Sequence, residues 1–267
     1  MNSLPFFHVD AFTGKPFAGN PACVCLLDEP RPDAWMQSLA AEMNLSETAF
    51  LLTEGDGYRL RWFTPKVEVS LCGHATLASA HILYETGRLA PGEIARFYTR
   101  SGLLTACLED GWIALNFPVA PVEPAQAPAG LLEALGVEKP VFTGKKITAA
   151  SYLIEVQDEQ TVRSLSPDFP ALLKVEARGI TVTARSQDPS TDFVSRYFAP
   201  RVGINEDPVT GSAHCLLAPY WSDKLGKTAL TAYQASARGG TLRLRCEGER
   251  VVICGQAVTV FSAKLHA

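Results

Sequence analysis

The chain has 267 residues, 47% apolar and 19% charged, with a formal net charge of −4 and a pI of about 5.8. That composition excludes a disordered chain, and without a long Lys/Arg cluster it argues against a nucleic-acid partner. The apolar stretches are short and interrupted, well below the run of about 20 residues that a bilayer requires, and residues 1–9 lack the basic and apolar regions of a secretory signal.

In chain order, strands are expected at 6–12 and 22–27, then a surface helix at 33–43, then strands at 48–52 and 58–63. A helix at 75–84 closes at Gly87, followed by strands at 95–99, 103–108 and 112–117. Residues 117–130 hold Pro118, Pro121, Pro124 and Pro128, a spacing that fits neither a helix nor a central strand and reads as a semi-rigid connector. Beyond it, strands are expected at 151–156, 180–184 and 193–198, a helix at 213–225, and strands at 229–234, 241–246, 251–254 and 257–263. Both helices are apolar around most of their circumference, so each should be buried on most sides, with Pro219 kinking the second.

The chain resembles itself. Arg61-Trp62-Phe63-Thr64-Pro65-Lys66-Val67 matches Arg196-Tyr197-Phe198-Ala199-Pro200-Arg201-Val202 at an offset of 135. Phe12-Thr13-Gly14-Lys15 matches Phe142-Thr143-Gly144-Lys145 at 130, and Gly73-His74-Ala75 matches Gly211-Ser212-Ala213 at 138. Three collinear matches point to a duplicated folding unit. The expected class is α+β: two pseudo-symmetric halves, each a central buried helix wrapped by mostly antiparallel strands. The halves are expected at 1–118 with 252–267 and at 119–251, with the active site in the cleft between them.

Each buried helix starts directly after a glycine, so its unpaired N–H groups and partial positive charge offer a site for a small anion such as a carboxylate. His74 follows Gly73, and Asn205-Glu206-Asp207-Pro208-Val209-Thr210-Gly211-Ser212 opens the second helix. A His, an acid and a hydroxyl at such positions can bind a small acid and move protons. Taken singly, His74 is better explained as a hydrogen-bonded helix cap and Asp207 as a turn residue before Pro208. Glu47 lies in the weakly polar segment 44–52, where partial burial would raise its pKa toward that of a general acid or base; a solvated strand face is the ordinary alternative. Gly14-Lys15-Pro16 is not a phosphate loop, no G-x-G-x-x-G or G-x-S-x-G occurs, and His74 and His81 lack an H-E-x-x-H context. No metal and no nucleotide are therefore expected. The seven cysteines, at 23, 25, 72, 107, 215, 246 and 254, form no C-x-x-C pair and suit reduced thiols in a cytosolic protein.

Val9-Asp10-Ala11-Phe12 with Gly19-Asn20-Pro21-Ala22, Asn44-Leu45-Ser46-Glu47-Thr48, Arg61-Trp62-Phe63-Thr64-Pro65, Cys72-Gly73-His74-Ala75 and 206–213 together resemble the phenazine-biosynthesis (PhzF-like) isomerase family. The resemblance implies a diaminopimelate-epimerase-like fold, a homodimer, no cofactor and a biosynthetic setting. It also implies isomerisation of a small, in some members cyclic, carboxylic acid such as dihydro-3-hydroxyanthranilate, by removal of a proton and its return at another carbon. By resemblance Glu47 is the catalytic glutamate, supported by His74, Asp207 and Ser212, with Asn20, Gly73, Thr210 and Gly211 around the substrate. The related epimerases use one cysteine per half; here Cys72 stands at the first position and Thr210 at the second, and a threonine hydroxyl is too weak for a two-thiol mechanism. Two alternatives remain: a racemase or dehydratase using Cys72 as base, and a non-catalytic small-acid binder on the same scaffold.

Overall fold

The computed structural model describes residues 3–147 and 150–266. The chain packs as two compact units, Met1–Phe117 with Val252–Ala267, and Pro118–Val251. Among the described residues no helix is long and apolar enough to cross a membrane.

The first unit contains β1 (Ser3–Ala11), β2 (Asn20–Leu27), α1 (Asp33–Met43), β3 (Glu47–Glu54), β4 (Gly57–Phe63), β5 (Glu68–Val69), α2 (Gly73–Glu85), β6 (Ile94–Thr99), β7 (Gly102–Glu109) and β8 (Trp112–Pro118). β1 and β2 are antiparallel, β2 and β3 parallel with α1 as the crossover, and β3 and β4 antiparallel. α2 is the crossover from β4 to the parallel β6, after which β6, β7 and β8 form an antiparallel meander. α1 ends where Asn44 turns left-handed (φ 52°) and its N–H returns to the Ala40 carbonyl.

The second unit repeats this programme with β9 (Val122–Pro124), α3 (Leu131–Leu135), β10 (Phe142–Lys146), β11 (Ser151–Glu155), α4 (Glu159–Ser164), α5 (Phe169–Leu172), β12 (Gly179–Arg185), β13 (Phe193–Ala199), β14 (Ile204–Asp207), α6 (Gly211–Leu225), β15 (Ala229–Gln234) and β16 (Gly240–Glu247), and β17 (Arg250–Gly255) begins in it and ends in the first unit. β10 and β11 are antiparallel, β11 and β12 parallel, β12 and β13 antiparallel, and α6 is the crossover from β13 to the parallel β15. The last strand, β18 (Ala257–His266), pairs antiparallel with β1 of the first unit, as β9 pairs with β10 in the second. The architecture is α+β and duplicated, with a buried helix against mostly antiparallel strands in each unit.

The repeat has a physical signature at its best-matching stretch. On β4, Arg61 forks onto both carboxylate oxygens of Glu68, at 2.8 and 2.7 Å, and its guanidinium lies 5.1 Å from the centroid of the Phe63 ring. On β13, Arg196 forks onto Glu206 at 2.7 and 2.9 Å and lies 5.0 Å from the centroid of Phe198. The same bidentate pair and the same stacked ring close the same strand in each unit. The Phe12–Lys15 match does not belong to the repeat. Phe142–Lys145 lies within β10, the counterpart of β1, whereas Phe12–Lys15 is the turn that follows β1.

α2 buries His74 through Ala80 together with Ile82 and Leu83, and packs on β1, β2, β3, β7 and β18. Such a helix tolerates little added volume. A Cβ on Gly255 would sit 2.4 Å from a Phe12 ring carbon and 2.6 Å from a Leu77 methyl. Gly255→Ala is expected to lower unfolding free energy by about 1–3 kcal/mol, through overpacking of this helix, as read by urea denaturation with an unchanged m-value.

α6 runs continuously through Pro219. Proline has no N–H to offer the carbonyl four residues earlier, and that Cys215 carbonyl instead accepts from the Ala120 N–H at 3.0 Å. The proline-rich connector thus repairs the helix it precedes. It also supplies β9, whose Pro124 lies at the strand end, where a missing donor costs no ladder bond.

Candidate active site

Four of the residues singled out by sequence meet in the first unit. Glu47 opens β3 and is half-buried. Asn20 opens β2 and is fully buried. Because β2 and β3 run parallel, with Ala22 opposite Glu47, the starts of both strands lie at one end of the sheet. α2 brings its first turn there: Cys72 is its N-cap, and His74 is its second residue.

His74 Nε2 lies 3.2 Å from Glu47 Oε2. On the other side of the ring, Nδ1 lies 3.2 Å from Asn20 Nδ2 and 3.6 Å from Cys72 Sγ. Burial drives the His74 pKa down to about 3, so the ring is neutral near pH 7. An amide donor on Nδ1 assigns the single ring proton to Nε2, which faces the glutamate. A neutral N–H within donor–acceptor reach can hold a carboxylate in place without quenching its charge, and such contacts often align fully only with substrate present. Asn20 thus sets the tautomer of the histidine that meets Glu47.

The local backbone keeps Asn20 in place. Gly19, just before it, has φ +63°, and a Cβ there would sit 2.1 Å from the Ala11 carbonyl oxygen. Only glycine fits this turn. Asn20→Leu, which removes the amide and leaves Nδ1 without that donor, is expected to reduce turnover about 10–100-fold, by analogy with other orienting groups. The effect should fall on kcat more than on KM, and Asn20→Asp, whose carboxylate can only accept and so draws the ring proton to Nδ1, should not recover it.

The second unit presents a different set. Asp207 ends β14, and Thr210 is the N-cap of α6. The Thr210 hydroxyl donates to Asp207 Oδ2 at 2.5 Å. Gln234, at the end of β15 and fully buried, accepts from the Thr210 N–H at 2.8 Å and donates to the Asp207 carbonyl at 2.7 Å. Ser212 is exposed on the first turn of α6, after Gly211. Gln234 is a buried polar partner of these candidates that sequence reasoning missed; a glutamine closing an apolar strand gives no signal of its own. The N-caps Cys72 and Thr210 make no side-chain cap to their own helices.

A cavity of about 460 Å³ in the first unit is lined by Arg59, Arg61 and Arg100 beside Glu54 and Asp33. Its arginines are already paired, Arg59 with Glu54 and both Arg61 and Arg100 with Glu68. It does not include Glu47 or His74 and is not a candidate for the chemistry.

The family model for phenazine biosynthesis-like proteins matches residues 9–263. The chain belongs to that family. Curated relatives include an uncharacterized isomerase of Halalkalibacterium halodurans, 51% identical over 266 residues with 99% of each chain covered. Another is an uncharacterized isomerase of Pseudomonas aeruginosa, 51% identical over 264 residues, with 98% of this chain and 99% of the relative covered. Among solved structures, a PhzF-family phenazine biosynthesis protein of Enterococcus faecalis superposes with a TM-score of 0.94 at 41% identity, covering both chains fully. A hydroxyproline epimerase of Agrobacterium vitis shares the fold at a TM-score of 0.65 and 13% identity. With this membership and an acid–base pair in its first unit, the chain is an enzyme of the isomerase type that works by moving a proton.

Proposed function

We propose that Glu47 takes a proton from one carbon of a small carboxylic acid and returns it to another, with no cofactor. The observation that carries this reading is the 3.2 Å approach of Glu47 Oε2 to the Nε2 of a neutral His74. A single carboxylate can serve as base and then as acid if the negative charge that develops is delocalised and held by donors already in place. The uncapped first turns of α2, starting at Gly73, and of α6, starting at Gly211, are suited to a substrate carboxylate. In this reading Asn20 acts on His74. A cytosolic homodimer is part of the same proposal.

A second reading has one observation in its favour: Cys72 Sγ lies 3.6 Å from His74 Nδ1, the arrangement of a thiol beside a base. A two-base racemase would need a comparable group at Thr210, and the proton of that hydroxyl is committed to Asp207. Product formation from dihydro-3-hydroxyanthranilate and a panel of cyclic hydroxy acids separates the readings. Turnover that survives Cys72→Ala and disappears in Glu47→Gln supports the glutamate; the reverse pattern supports the thiol.

A further inference from the structure

The loop from β2 to α1 reads Asp28-Glu29-Pro30-Arg31-Pro32. Pro32 restricts the backbone of Arg31, and Pro30 fixes the residue before it, so the side chain starts from a rigid stem. The guanidinium lies 5.7 Å from the centroid of the Trp35 ring. Its Nη atoms reach only Asp28 at 3.4 Å and Glu29 at 3.5 Å, and both acids are exposed. A good charge-assisted bond measures about 2.7–2.9 Å. The Arg31 Nε is buried and, among the described residues, meets no hydrogen-bond partner. Arginine stays protonated, so that N–H always requires an acceptor.

Arg31 lines a cavity of about 40 Å³ in the first unit, together with Arg59, Arg61, Met36, Phe50 and Leu52. The cavity shares Arg59 and Arg61 with the larger one described above, but no carboxylate lines it. Arg61 is engaged by Glu68 and Asp33 through all three of its nitrogens. Arg59 uses only its Nε among the described residues, on Glu54 at 2.5 Å. Phe50 and Leu52 alternate with Glu47 along β3, and Phe50 packs with Met36 of α1. The cavity therefore lies on the α1 face of the sheet, and Glu47 faces the other way.

We propose that this cavity is a second binding site, separate from Glu47 and His74, for a short aliphatic monocarboxylate of about the size of acetate. At roughly 10–15 Å³ per water-sized group, the space takes about three or four such groups. Water suits the walls poorly, because it needs two to four polar partners and Met36, Phe50 and Leu52 offer none. An acid satisfies both sides. Its carboxylate supplies the acceptor for the Arg31 Nε–H and faces the Nη groups of Arg59, and its methyl end lies on Met36 and Phe50. A neutral isostere lacks the charge that the arginines call for, and an inorganic anion lacks the apolar end. The claim does not depend on the proton-transfer reading above.

The methionines test the site directly. The chain has three, Met1, Met36 and Met43, so labelling with methyl-13C methionine gives three NMR signals, and Met36→Leu assigns the one at the cavity. The full-length protein would be titrated with sodium acetate at constant ionic strength, and in parallel with acetamide and with sodium chloride. The Met36 methyl signal should move with acetate and saturate in the millimolar range, and should stay in place with acetamide and chloride. Arg31→Gln should weaken the acetate response at least tenfold. Arg31→Lys, which keeps the charge but loses the Nε–H, should weaken it less. The comparison of acetate with acetamide is made on wild type, so the test does not depend on either variant folding. A Met36 signal that acetate does not move would leave the cavity to water and overturn the proposal. An equal response to acetamide or to chloride would overturn the ligand class. A response unchanged in Arg31→Gln would place the acetate elsewhere, at the Glu47 site for example, and would also overturn it.

Discussion

Glu47→Gln should reduce proton exchange and isomerisation by about 10²–10⁴-fold, the usual contribution of a positioned general acid–base group, while leaving the protein folded. The substitution keeps the size and the hydrogen-bonding reach of the side chain and removes only its ability to take a proton. His74, buried and neutral, loses no charge partner, because its pKa of about 3 already leaves it uncharged at neutral pH. Melting temperature should therefore shift little, and the loss should appear in kcat with KM nearly unchanged. Glu47→Asp provides the graded case. It retains the carboxylate but draws it back from His74 Nε2, now 3.2 Å away, so partial activity is expected. Equal activity of Glu47→Gln and wild type would remove the glutamate from the mechanism.

The stability of the protein should fall as the pH is lowered from 7 to 5, with the two buried histidines as the main cause. Burial holds His74 at a pKa of about 3 and His214 at about 4, both below the ordinary 6.5. His214 lies fully inside α6, with Nδ1 2.8 Å from the Thr210 carbonyl and its ring stacked on Phe193. Among the described residues its Nε2 meets no partner, so a second ring proton would be unpaired in the core. The folded pKa values lie below the unfolded one, so between them the unfolded chain binds more protons than the native one. Stability is therefore full above about pH 6.5 and is lost as the pH falls below it. Each histidine should cost about 2 kcal/mol between pH 7 and 5. Carboxylates contribute little in this window, because their ordinary pKa values of 3.8 and 4.5 lie below it and the shifted ones, such as Glu159 and Asp158, are lower still. Urea midpoints at pH 7 and pH 5 measure the fall. His214→Leu should remove about half of it, since the Thr210 carbonyl keeps its bond from the His214 backbone N–H. An unchanged pH slope in that variant would contradict the assignment.

Much of the fold is legible along the chain because its longer elements carry local signals. α1 is readable to the residue: Pro32 and Asp33 open it, and Asn44 closes it in the left-handed conformation that asparagine tolerates. Gly87 closes α2 in the same way, with φ +67°. The ends of β15 are as legible, because apolar residues alternate along Ala229–Gln234 between turn signals. The short elements β5, β9, α3, α4, α5, β10 and β14 are not. Most span too few residues for a period to show, and they exist because a neighbouring strand or core residue completes them; β9, for instance, needs β10. The Phe12/Phe142 match shows the opposite failure, a chance identity that pairs a turn with a strand.

The site divides in the same way. Cys72 and His74 stand out by their place at a helix start, Glu47 by its weakly polar surroundings, and all three by family resemblance. What joins them is tertiary. Asn20 reaches His74 across 54 positions of sequence, and only the parallel pairing of β2 with β3 reveals that their starts share one end of a sheet. Gln234 and His214 are harder still. Each sits in an apolar element whose periodicity hides a buried polar group, and its partners are visible only once α6 is packed.

Solvent deuterium incorporation, followed by NMR, tests the central claim most directly. Wild type, Glu47→Gln and Cys72→Ala would each be incubated in D2O with dihydro-3-hydroxyanthranilate, cyclic hydroxy acids and common amino acids. Deuterium should enter a carbon-bound position of at least one carboxylic acid with wild type and Cys72→Ala, and not with Glu47→Gln. Incorporation that persists in Glu47→Gln, or that is lost in Cys72→Ala alone, would contradict proton transfer by Glu47.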